Sequence, residues 1–192
     1  MIVSPGAFIR VGGLVLAAVV LQLSGVAGGR FLGATIDLIP LVVAAVAIYA
    51  GSVSGAATGF AMGLVLDLAA GQTVGTASLV LTAVGYGVGR FREVRDPAHG
   101  LMPIPVGAAA TAGWVAAYGA VSFMLDIGTD VSPVIFRDMI ATVAINSIVA
   151  IPVFAVCRRV LRPSLAVDPF ELRRRRQPPR ETGPLGLRGL EV

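Results

Sequence analysis

Five long stretches of this chain carry no ionised side chain at neutral pH, and nothing else in the sequence constrains the fold as much. Residues 11–29, 38–66, 68–89 and 139–157 contain no Asp, Glu, Lys or Arg, and residues 97–125 are broken only by His99. A helix needs about 20 residues to cross a hydrocarbon core roughly 30 Å thick. Each stretch is long enough, and 38–66 and 68–89 follow one another with a single charge between them. The chain has 192 residues, of which 56% are apolar and 14% charged, with a mean hydropathy of +0.85. A soluble domain of that size has too little interior to hide so much apolar surface. The expected class is an all-α integral membrane protein.

Counting the spans turns on residues 34–90, where Asp37 and Asp67 are the only charges before Arg90. Small and polar breaks at Gly51–Ser54 and Gly71–Thr73 divide the stretch into three helices. Six spans then fall near 11–29, 35–52, 54–70, 73–90, 103–125 and 137–159. Arginine supplies all fifteen basic residues, and cytoplasmic loops collect arginine. With six spans and a cytoplasmic N-terminus, Arg10, the trio Arg90, Arg92 and Arg95, and the nine arginines from Arg158 onward face the cytoplasm. Only Arg30 and Arg137 face outward. Five spans would put the Arg90 loop and the whole tail outside. The run Arg10, apolar stretch, Ser24–Ala27 has the outline of a signal peptide, but its removal would leave those five spans, so a retained first helix is expected.

The expected organisation is a six-helix membrane domain over 1–162 and a basic cytoplasmic tail over 163–192. The tail holds Arg173, Arg174, Arg175 and Arg176, then Pro178–Pro179 and a Gly- and Pro-rich end. Its composition predicts disorder at the membrane surface. The arginine run reads first as a topology anchor and second as a contact for anionic lipid. One such run is too little for nucleic-acid binding. The single cysteine, Cys157, and single histidine, His99, exclude an intramolecular disulfide and a cysteine metal cluster. No catalytic residue, cofactor or metal is expected.

The clearest periodic signal is Gly51, Gly55, Gly59 and Gly63, recurring every four residues, with Asp67 in the next place. A row of absent side chains lets another backbone approach closely. Packing inside the bundle is the first reading, and docking of a partner helix the functional one. Asp67 is an ionisable residue in a span and so a functional candidate. It groups with Asp37 and Arg137 on the outer side, where a pair such as Asp67 with Arg137 or Arg30 would clasp two helices. Asn146 is placed to hydrogen-bond across helices, Pro152 to kink the sixth, and Trp114 to pack against a neighbour. The string Val84-Gly85-Tyr86-Gly87 looks like the core of a potassium-channel filter. It sits inside an apolar run directly before Arg90, the wrong place for an extended filter loop, so its glycines read as packing residues.

The order of residues from 36 to 90 resembles the MreD family. Ile36-Asp37-Leu38-Ile39-Pro40-Leu41 opens the second span, and Gly51, Gly55, Gly59-Phe60, Gly63-Leu64, Asp67-Leu68, Gly71, Gly75, Ser78-Leu79 and Gly85-Tyr86 follow. The resemblance implies a non-enzymatic protein of the bacterial cytoplasmic membrane. Such a protein acts with MreC to couple MreB, indirectly, to the peptidoglycan synthases of the elongation complex and so maintains rod shape. It also implies a fold similar to the substrate-binding S components of energy-coupling-factor vitamin transporters, which supply the rival function. An S component needs an outer pocket with aromatic and polar lining. Phe31, Phe123 and Phe136 are the outer aromatics the spans offer, a thin lining that favours the scaffold.

Overall fold

The structure, a computed structural model, describes residues 5–25, 30–31, 34–71, 73–94, 102–125 and 133–162. Among them are six helices: α1 (Pro5–Leu23), α2 (Leu38–Ala50), α3 (Ser52–Ala70), α4 (Thr76–Val94), α5 (Pro103–Met124) and α6 (Pro133–Leu161). A two-residue antiparallel ribbon, β1 (Arg30–Phe31) with β2 (Ala34–Thr35), lies between α1 and α2. Three segments are long and apolar enough to cross a membrane: Ser52–Ala70, Pro103–Met124 and Ile135–Leu161. The loop with His99 and the tail from 163 onward, including Arg173–Arg176, lie outside the described residues.

The bundle is organised around α2. Every residue from Ile39 to Ile48 is buried, and α1, α3, α4, α5 and α6 all pack against this one helix. A helix apolar on all sides has no face to give to water and is stable only when surrounded. Its 13 residues make a rod of only about 20 Å, well short of the roughly 30 Å of a bilayer core. The expected span at 35–52 is therefore longer than the helix that forms. Residues 34–35 pair in the ribbon instead, and Gly51 ends the helix with φ 93° and ψ 176°, a conformation essentially confined to glycine. α3 starts at the very next residue.

The other boundaries differ for local reasons. α1 begins at Pro5 and ends at Leu23, not 11–29, because the chain turns at Gly25 with φ 77°. α6 extends beyond 137–159 at both ends and continues through Pro152. α5 covers 103–124 against the expected 103–125.

Candidate functional site

The glycines of α3 lie against α4. A Cβ on Gly55 would stand 2.7 Å from the Gly85 carbonyl oxygen and 2.5 Å from the Ala47 Cβ. On Gly59 it would collide with the Leu81 carbonyl, and on Gly63 with the Ser78 backbone. From the other side, Gly85 has no room against Gly55, and Gly89 none against Ser52. The two helices thus touch backbone to backbone along their length, as small residues permit in a membrane. All three α3 glycines are buried, and the row is filled by α4 of the same chain. Gly51 is separate from the row, forming the α2–α3 corner. The Val84–Gly87 string lies within the continuous helix α4, with Gly85 part of the packed seam.

Asp67, only 1% exposed, closes the same hairpin at its turn. Its Oδ2 accepts the Gly75 N–H at 2.8 Å, and both carboxylate oxygens accept the Ala77 N–H at 3.2 Å. A carboxylate at the first turn of α4 is held by N–H groups that have no partner within that helix and by its dipole. Gly71, in the left-handed conformation at φ 64°, returns its own N–H to the Asp67 carbonyl. The expected clasp with Arg137 does not form: Asp67 bonds the backbone of its own hairpin, and Arg137 is exposed. The side chain of Arg30 is outside what the structure describes.

The N-terminus of α2 is satisfied by side chains from two other helices. The Leu38 N–H donates to Gln22 Oε1 of α1 at 3.0 Å, and the Asp37 N–H to Asn146 Oδ1 of α6 at 3.2 Å. Gln22 Nε2 donates to Asp37 Oδ1 at 3.0 Å and to the Ile36 carbonyl at 3.2 Å. The Thr35 N–H donates to Thr142 Oγ1 at 3.2 Å. Asp37 itself makes no cap to its own helix. Asn146 has therefore the cross-helix role expected of it, and Gln22 and Thr142 share it.

Beside this knot opens a cavity of about 470 Å³ between α1, α2, α3, α5 and α6. Gln22, Asp37, Asp67, Trp114, Tyr118 and Met139 are among its walls. Trp114 is buried and packs on Tyr118, ring centroids 4.8 Å apart and tilted by 34°. Asp37 and Asp67 thus meet at one cavity, and Arg137 does not join them. The aromatics that line it were missed by the sequence reading. Phe123 and Phe136 are about 60% exposed and stand apart from it. The signal for the true lining was present: Trp114 and Tyr118 are four residues apart, one face of one helix.

The opposite end of the hairpin has a different closure. Glu93, in the last turn of α4, accepts the Ser52 hydroxyl at 2.6 Å and the Ser52 N–H at 3.3 Å on Oε1, while Arg90 donates to Oε2 at 2.8 Å. These bonds, Ser52 foremost and Arg90 next, hold the Glu93 carboxyl below the ordinary glutamate range. Arg158 and Arg159 at the end of α6, with Arg162 just beyond it, line a separate basic notch.

A family model described as rod shape-determining protein MreD matches residues 6–160. No curated protein matches the chain, and no solved structure does.

Proposed function

Since the chain belongs to the MreD family of rod shape-determining proteins, we propose that it is a non-enzymatic membrane component of the bacterial elongation complex. It works with MreC, through which MreB is coupled indirectly to the peptidoglycan synthases, and sits in the cytoplasmic membrane with both termini in the cytoplasm. The arginine run Arg173–Arg176 of the tail serves as a contact for anionic lipid at that surface. The observation that carries this reading is the extent of the family match, which runs from α1 to the end of α6. The packing supports it further. With the α3 glycines used internally, partner contacts fall to the exposed apolar faces of α1, α5 and α6, where Leu16, Val20, Phe123, Ile140 and Ile148 stand outward.

One observation favours a second reading, the S component of an energy-coupling-factor vitamin transporter. The cavity walled by Trp114, Tyr118, Gln22 and Asp37 is the kind of pocket such a protein needs, and it removes the argument from thin aromatic lining. Co-purification separates the two. Tagged protein extracted from its native membrane in mild detergent is expected to bring MreC and elongation synthases with it. Recovery of ATPase subunits and an energy-coupling membrane partner in their place would overturn the scaffold and establish the transporter.

A further inference from the structure

We infer that the cavity between α1, α2, α3, α5 and α6 is a binding site for an organic ammonium group carried on a short apolar body. Three observations converge on that chemistry. Two carboxylates, Asp37 and Asp67, face the cavity, and among the described residues its lining holds no arginine. Negative charge at membrane depth calls for a cation partner. Asp67 is already engaged by the backbone of its hairpin, which leaves Asp37, held in place by the side chains of Gln22 and Trp114, as the group that meets the ligand. Next, the aromatic pair Trp114 and Tyr118 lies on the same wall. Aromatic rings and a carboxylate on one wall together favour an ammonium over a neutral group of equal size. The remaining walls, Ile39, Leu66 and Met139, suit an apolar body.

An ammonium group of this kind could come from an aminophospholipid headgroup or from a free amine. The site is independent of the role proposed above.

Trp114 is the only tryptophan in the chain, so its fluorescence reads the cavity directly. The experiment titrates the full-length protein, in nanodiscs of phosphatidylglycerol, with hexylammonium, 1-hexanol and hexanoate. Hexylammonium is expected to give a saturable change, with 1-hexanol weaker by about tenfold or more and hexanoate inert. Gly119 lines the cavity, and a Cβ there meets no atom within 4 Å, so Gly119→Leu narrows the space without a backbone clash and should abolish the response. Asp37→Asn should reduce it to the level of the alcohol. If that variant is unstable, the charge series on the unaltered chain and Gly119→Leu decide the matter alone. Nanodiscs containing phosphatidylethanolamine distinguish the sources: competition with hexylammonium assigns the lipid headgroup, and its absence assigns a free amine. Equal responses to amine and alcohol, an undiminished response in Gly119→Leu, or no response to any probe would overturn the site.

Discussion

Gly59 and Gly63 leave no room for a side chain. Alanine is ordinarily the better helix former, by about 1 kcal/mol over glycine. Here its methyl would meet the Leu81 carbonyl or the Ser78 backbone, which cannot move aside as a flexible side chain could. Overpacking of that kind costs about 1–3 kcal/mol. Gly59→Ala and Gly63→Ala should therefore lower the midpoint of thermal unfolding in detergent, and the leucine variants should lose most of the folded yield. Gly87→Ala, where a Cβ meets nothing, should be neutral or slightly stabilising, and a drop equal to that of Gly59→Ala would refute the seam. Asp67 is also constrained. Asp67→Ala leaves two N–H groups of the α3–α4 turn unpartnered, at about 1–3 kcal/mol each. Asp67→Asn keeps an acceptor and should cost less, so the order Asn above Ala in thermal stability checks the capping role. The four-residue glycine spacing made the seam legible in the sequence. It could not say which helix fills it, because a row of missing side chains describes only the surface that receives a neighbour. Asp67 was legible as a buried acid and not as a cap, since its partners are backbone groups, which no residue name records.

At the level of whole helices, three N-termini, those of α2, α3 and α4, are satisfied by side chains of other helices. α2 is capped by Gln22 and Asn146, α3 by Glu93 and α4 by Asp67, while Asp37 and Gly51 offer no side-chain cap of their own. In lipid an unsatisfied N–H costs several kcal/mol, so each cap also fixes which helices are adjacent. Gln22→Leu and Asn146→Leu should each destabilise by about 1–3 kcal/mol, and the double variant by less than the sum, because both serve one helix start. Strict additivity in unfolding measurements would argue against a shared knot. The α3 cap adds a pH dependence. The bonds from Ser52 and Arg90 favour the Glu93 carboxylate and lower its folded-state pKa. Their contribution is present above the ordinary glutamate value and is lost as pH falls through the lowered one. Unfolding followed from pH 6 down to the acid limit should show a loss in the parent chain that Glu93→Gln does not show. Helix number was legible from the uncharged runs and their small, polar breaks, whereas among the boundaries only the end of α3 and both ends of α5 fall within a residue of expectation. The shortness of α2 was not legible, because a buried loop segment in a membrane protein is as apolar as a span and differs only in where its backbone bonds go.

For the molecule as a whole, the proposed arrangement of six crossings would place both ends on one side of the membrane. Reporters fused at residue 1 and after residue 162 should respond alike, and opposite responses would remove a helix from the count. The arrangement around α2 also bears on how the protein is made. Its helix is completed early in synthesis, yet one of the side chains that closes its polar end lies 109 residues later, in α6. During that interval a rod too short for the bilayer carries open donors at membrane depth. The polar end of α2 is therefore closed only once α6 has been made. Chains interrupted before Asn146 would display an unsealed end to lipid, a mark by which membrane proteases could distinguish unfinished copies from finished ones.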